Sequence, residues 1–192
     1  KREPSFPIAV ACDPAFNFVY EANIRYLHHL GEVTYFSPLA DTSLPDAGFV
    51  YLPGGYPELY LAALSANRQM LQSIRRYVES GGKLLAECGG MMYLCDEIRD
   101  KNGDVYPMAG VLHQSATMEN MKLRLGYRTL LYNETRLKGH EFHYSRLVEQ
   151  QNPLPSCAVA YTAKGVETDT PLYHYKNVWA GYTHLYWADP VG

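Results

Sequence analysis

Little in this sequence points toward a nucleic acid, a membrane or an oxidising compartment. Lys and Arg number 17 against 20 Asp and Glu, so there is no basic excess to grip a phosphate backbone. No apolar run reaches the roughly 20 residues of a membrane-spanning helix, and no charged-then-apolar leader opens the chain. Cysteine is scarce: four in 192 residues (Cys12, Cys88, Cys95, Cys157), with no CxxC pair. That density excludes a disulfide scaffold and fits reduced thiols, so the expected location is cytoplasmic. The phosphate-cradling pattern Gly-x-x-x-x-Gly-Lys-Ser/Thr is absent, which excludes that nucleotide loop from these residues. A complete HExxH is absent too. His140-Glu141-Phe142-His143 is one residue short of it, and on a strand its two histidines point to opposite faces, so no metal is expected. Internal repeats and low-complexity segments are also missing.

What remains is enough for a packed domain. The hydrophobic fraction is 47% and the net charge −3, a composition that can bury a core. Tyrosine is abundant at 17, which suits polar-tipped aromatic surfaces or a large interface. The first half alternates strand and helix. Phe6 to Ala11, Glu32 to Phe36, Gly48 to Leu52 and Lys83 to Ala86 read as strands. Tyr20 to Leu30 reads as a helix stopped by Gly31, and helical spacing recurs through Leu59–Ala66 and Met70–Val78. Alternation of this kind predicts a parallel sheet with right-handed crossovers. After Ile98 the rhythm turns to strands joined by short polar turns, including a hairpin around Lys176-Asn177. The fold class is therefore α/β, with one domain over residues 1–192 and strands of the second half extending the same sheet or standing apart.

Cys88 carries the strongest chemical signal. The apolar run Lys83-Leu84-Leu85-Ala86 leads into Glu87-Cys88-Gly89-Gly90, and Met91-Met92-Tyr93-Leu94 leads out as a helix. Strand, tight turn and helix make a nucleophile elbow. The turn lifts the thiol above the sheet edge, and a helix N-terminus behind it is expected to favour thiolate. Cys95 is expected on that helix as a core thiol. Pro53-Gly54-Gly55 ends the neighbouring strand, so N–H groups near Gly55 and Gly89 are placed to converge on one oxygen. Seven histidines compete for the role of base, and a lone histidine is more often structural. His184 stands where the apolar strand Trp179 to Tyr182 runs out, a place where loops carry function. In Gly139–Ser145 alternation puts Glu141, His143 and Ser145 on one face and His140, Phe142 and Tyr144 on the other. The first set is expected to form a polar network, either facing a cleft or satisfied internally.

Several stretches together resemble a known family: Asp13-Pro14-Ala15-Phe16-Asn17-Phe18, Leu52-Pro53-Gly54-Gly55-Tyr56-Pro57-Glu58, Ala86 to Leu94, Leu125-Gly126-Tyr127 and Gly139-His140-Glu141-Phe142-His143-Tyr144-Ser145. They are similar to the glutamine amidotransferase domain of the cobyrinic acid a,c-diamide synthase and cobyric acid synthase group, a branch of the class I amidotransferases. The likeness runs from about Ile8 to Trp187. It implies a flavodoxin-like three-layer sandwich with a mainly parallel central sheet. It implies Cys88 as nucleophile, His184 as base, and an oxyanion and glutamine site built from Gly54, Gly55 and Gly89, with Glu58 joining them. Ammonia would pass to an ATP-dependent synthetase domain that activates a carboxylate of cobyrinate or a related tetrapyrrole. That N-terminal domain would hold ATP and Mg2+, and Lys1 in place of Met fits a C-terminal portion of a longer protein. No cofactor is expected here. Docking against that domain, against a second copy as a homodimer, or both, is expected for the Tyr-rich β half.

The sequence departs from the class at Tyr186, where many members carry Glu two residues after the catalytic histidine. Glu141 and His143 are then the candidates for an orienting or interface network. The acceptor alternatives are cobyric acid synthase, hydrogenobyrinate and nickel-sirohydrochlorin chemistry. The alternatives in kind are a hydrolase on the same fold and a non-catalytic binding module. The Cys88–His184 pairing predicts faster alkylation of Cys88 than of Cys95 or Cys157 near neutral pH.

Overall fold

The computed structural model describes residues 6–187. Its first half runs β1 (Pro7–Ala11), α1 (Glu21–Leu30), β2 (Glu32–Phe36), β3 (Phe49–Leu52), a 3-10 turn at Pro57–Leu59, α2 (Leu61–Ala66), α3 (Arg68–Glu79), β4 (Lys83–Glu87) and α4 (Gly89–Leu94). Strands dominate the second half: β5 (Cys95–Arg99), β6 (Val105–Pro107), β7 (Leu112–Thr117), β8 (Arg124–Tyr132), β9 (Thr135–His143) and β10 (Arg146–Leu147). Then come β11 (Val159–Thr162), β12 (Glu167–Thr168), β13 (Leu172–Tyr175), β14 (Val178–Gly181) and β15 (His184–Leu185).

Six strands form the main sheet in the order β13-β14-β4-β3-β1-β2. All its pairings are parallel except the β13–β14 hairpin at the edge. Central strands of such a sheet are covered on both faces, so they read as continuous apolar runs. In β1, four of the five residues are buried. Ala9, Val50, Leu52, Leu84 and Ala86 face α2, α3 and α4, while Ile8, Val10 and Tyr51 meet Leu27 of α1. That makes the three expected layers. α3 presents Met70, Leu71, Ile74 and Val78 at helical spacing to the core. Asn67 caps its N-terminus through the Met70 N–H.

One expectation beyond the parallel half is corrected. The helix leaving the elbow is only six residues long, and Cys95 opens β5 instead of lying on it. Its thiol is nonetheless in the core, pointing at Met91 O. The hairpin β13–β14 does extend the main sheet, but the other late strands build two further sheets, β10-β7-β5-β6 and β12-β11-β8-β9-β15. β15 hangs on the second of these by two residues, His184 opposite His140 and Leu185 opposite Gly139. This edge brings His184 back over the carboxyl ends of the parallel strands, where α/β sheets hold their sites.

Candidate active site

β4 delivers Cys88 at the end of an apolar strand, and the backbone turns sharply there. Cys88 has φ 51° and ψ −107°. A non-glycine residue held at positive φ costs on the order of 1–3 kcal/mol and persists only where its surroundings enforce it. Here the enforcement is visible. The Cys88 N–H donates to Gly181 O at 2.7 Å, and its own carbonyl accepts from Met92 N–H at 3.0 Å. The glycines that follow are required by close approach. A Cβ on Gly90 would lie 2.1 Å from Leu52 O, and one on Gly89 would lie 2.8 Å from Pro57 Cδ.

The Gly54-Gly55 turn at the end of β3 is as tightly committed. Gly55 has φ +151°, and a Cβ there would meet Ala15 O at 2.3 Å. A Cβ on Gly54 would strike His184 Cε1 at 2.3 Å. The same construction on Gly89 falls 3.3 Å from Gly55 N, so the backbones of Gly55 and Gly89 are neighbours. Gly54 O also accepts from the Phe18 N–H at 3.1 Å, which lays the chain after β1 across the turn.

Cys88 and His184 line one cleft of about 240 Å³, shared with Gly55 and walled by Phe18, Tyr56, His140 and Phe142. The Phe18 ring centroid is 4.5 Å from that of His184. Cys88 Sγ is 3.6 Å from Phe142 O. A larger hollow of about 560 Å³ beside Leu44, Ser73 and Lys83 holds neither group.

Burial governs the protonation states. It pushes the Cys88 thiol well above the ordinary range, and the carboxylates of Glu58, Glu141 and Glu87 push the same way. The Gly89 N–H pulls it down, but not enough. The expectation that the helix N-terminus favours thiolate is therefore corrected, because desolvation of a buried sulfur outweighs one short helix. Burial also depresses His184, helped by His140 and His143, to about 4. At neutral pH the free site holds a thiol and an uncharged imidazole.

Glu58 sits in the 3-10 turn Pro57–Leu59, with Oε2 buried and without a partner among the described residues. Burial raises its pKa, and its charge is felt at Cys88.

The Gly139–Ser145 alternation holds, but the faces are the reverse of a cleft-facing polar network. His140 and Phe142 line the cleft. Glu141, His143 and Ser145 turn inward and are buried. Glu141 accepts from Arg128 Nε at 2.8 Å and Thr170 Oγ1 at 2.6 Å, and meets His143 Nε2 at 2.7 Å. The His143 ring stacks on Tyr182 at 3.6 Å, and Ser145 Oγ meets the Tyr182 hydroxyl at 2.9 Å. Burial raises the Glu141 pKa, but the hydrogen bonds from His143 and Thr170, with the charge of Arg124 nearby, outweigh it and hold the carboxyl at about 2. The network is satisfied within itself, and no hydrogen bond joins Glu141 to His184 among the described residues. The orienting role expected of Glu141 thus has no direct contact behind it.

Sequence reasoning missed Phe18, Tyr56, His140 and Phe142 as cleft residues, and Glu87 beside the nucleophile. Strand alternation already grouped His140 with Phe142; which face turned to the cleft depended on the position of β15. No helix is long and apolar enough to cross a membrane, and no cluster of three or more His, Cys, Asp or Glu could hold a metal, both among the described residues.

The chain is similar to known proteins along nearly its whole length. Residues 7–191 match the model of the CobB/CobQ-like glutamine amidotransferase domain. The chain is 40% identical over 185 residues to the hydrogenobyrinate a,c-diamide synthase of Pseudomonas aeruginosa, covering 93% of this chain and 41% of that protein. It is also 40% identical over 188 residues to the cobyrinate a,c-diamide synthase of Fusobacterium nucleatum, with the same shares. The chain thus spans about two fifths of the length of the curated relatives it matches. Among solved structures, PurLQS from Thermotoga maritima superposes with a TM-score of 0.65 at 18% identity, over 94% of this chain and 87% of that one. A glutamine amidotransferase from the same organism gives 0.61 at 13% identity, over 95% and 76%. These last two likenesses concern the fold alone. By its match over nearly the whole length, the chain belongs to the family of CobB/CobQ-like glutamine amidotransferase domains.

Proposed function

We propose that this chain is a glutaminase domain in which Cys88 and His184 release ammonia from glutamine. The observation that carries the reading is the pairing, in one small cleft, of a cysteine held at positive φ with a buried, uncharged histidine. His184 takes the thiol proton as Cys88 Sγ attacks the side-chain amide carbon. The oxyanion that forms lies where the Gly55 and Gly89 N–H groups can meet it. His184 then returns the proton to the leaving nitrogen, and ammonia departs from a glutamyl thioester. Water, deprotonated by the same imidazole, attacks the thioester and frees glutamate and the thiol. Proton transfer during attack fits the raised thiol better than a standing ion pair. Glu58, with its unpartnered oxygen, suits the α-ammonium group of glutamine.

In the longer protein we take the ammonia to pass to a synthetase domain that holds ATP and Mg2+ and amidates the a and c carboxylates of a corrinoid acid, in the cytoplasm. The names of the two relatives quoted above support that acceptor class.

The test is glutamate release from glutamine by the intact protein and by Cys88→Ser. Loss of more than about a thousandfold with an unchanged melting temperature is expected. Retention of wild-type turnover by Cys88→Ser ends the proposal.

A further inference from the structure

Glu87 is the last residue of β4, directly before the nucleophile, and is 2% exposed. One carboxylate oxygen accepts from the Tyr51 hydroxyl at 2.5 Å, and the other accepts from the Leu185 N–H at 2.9 Å. Leu185 follows His184 in β15. That strand has a single ladder partner, β9, and only two paired residues. Tyr186 N–H already bonds Lys138 O at 2.9 Å. Antiparallel bonds alternate along a strand, so the N–H and C=O of Leu185 turn away from β9. Two buried side chains meet them where a second strand would be. Glu87 takes the N–H, and Asn23 Nδ2 of α1 donates to Leu185 O at 2.7 Å. Asn23 Oδ1 also accepts from the Trp187 N–H at 3.0 Å.

A second stitch lies one residue away. The Cys88 N–H donates to Gly181 O, so consecutive residues of the elbow grip both ends of the segment from Gly181 to Leu185. His184 lies inside that grip. Its ring receives no side-chain hydrogen bond among the described residues. Phe18 and Gly54 pack against the ring, and what holds the segment that carries it in register is main-chain bonding.

We infer that Glu87 is a positioning residue: by accepting the Leu185 N–H it fixes the His184 imidazole in the cleft it shares with Cys88. The inference rests on the glutaminase reading above. A buried carboxylate with no cationic partner is costly to keep. Burial pushes Glu87 up to about 7. An apolar side chain of similar size would spare that cost, but it would leave the Leu185 N–H buried and unpaired.

The test uses the intact protein with Glu87→Met, Glu87→Gln and Glu87→Asp. Two readouts are taken: steady-state glutaminase kinetics and the ring NMR signals of His184. Met fills the space without an acceptor, so kcat falls about thirtyfold or more while KM for glutamine stays within about twofold. Gln keeps a carbonyl oxygen for the same N–H, so kcat stays within about threefold. Should Glu87→Met fail to fold, Glu87→Asp, whose oxygen falls short of Leu185, shows the same loss in kcat alone. Wild-type kcat in a folded Glu87→Met or Glu87→Asp, or a loss in Glu87→Gln as large as in Glu87→Met, overturns the inference. A wild type that hydrolyses no glutamine defeats the glutaminase reading by itself. The His184 signals still decide about Glu87: a shift in Glu87→Met with the rest of the spectrum unmoved supports positioning, and an unmoved His184 refutes it.

Discussion

His184 owes its uncharged state to burial more than to any partner. An imidazole at ordinary exposure titrates near 6.5; here desolvation, then the neighbouring His140 and His143, lower it to about 4. A depressed histidine binds fewer protons folded than unfolded between those two values. The uncharged form, the one able to accept the thiol proton, is therefore present above about pH 5 and lost as pH falls through 4. The acid limb of kcat/KM for glutamine should accordingly lie below pH 5. A titration of the His184 ring by NMR should give the same midpoint. An acid limb near 6.5 would mean that water reaches the ring freely and that the cleft is open in solution. The single residue that sequence reading served best is Cys88, because strand, Gly-Gly and helix leave their mark in the twelve consecutive residues Lys83 to Leu94. The thiol's protonation state was not legible in the same way: it depends on burial beneath Phe142 and on the carboxylates of Glu58 and Glu141, both distant in sequence, as well as on the adjacent Glu87.

At the scale of elements, β9 shows how a pattern can fix the period and leave the direction open. The alternation of His140, Phe142 and Tyr144 with Glu141, His143 and Ser145 is present in the strand and beyond it. Which set faces the cleft is decided by β15, which pairs β9 through His184 and which two residues of sequence cannot announce. The polar set lands on Arg128 of β8, on Thr170 and on Tyr182. Glu141 is thus a cross-link between elements, and its removal should be felt as stability. Glu141→Gln leaves Arg128 without its buried counter-charge, a loss typically of about 3–5 kcal/mol. The wild-type carboxyl sits at about 2, lowered below its usual value, so its contribution is present at neutral pH and fades as pH falls toward 2. At pH 7 the variant should melt several degrees lower, while glutamine turnover per folded molecule stays within about threefold. A collapse of turnover with an unmoved melting temperature would return Glu141 to the role of orienting His184.

Over the whole molecule the legible part was the parallel half, where βα units follow one another and each strand is a short buried run. The two outer sheets were illegible in their pairing, because β5 joins β7 in parallel and β15 joins β9 across distant stretches of chain. This arrangement sorts the four thiols by access. Cys12 is exposed, Cys157 is half-buried, and Cys88 and Cys95 are buried, Cys95 completely. Alkylation requires both contact with the reagent and thiolate, and burial raises the pKa of Cys157, Cys88 and Cys95 alike. A small neutral reagent such as iodoacetamide should therefore label Cys12 first, then Cys157, then Cys88 through its cleft, and Cys95 last. That order differs from the one drawn from the sequence, which placed Cys88 ahead of Cys157. A glutamine-shaped diazoketone should reverse it, because binding in the cleft brings the electrophile to Cys88 and His184 supplies the base only there. Peptide mass spectrometry after partial labelling reads both orders. Cys157 reacting with the diazoketone as fast as Cys88 would show that the cleft confers no advantage, and that the thiol beside His184 is simply another buried sulfur.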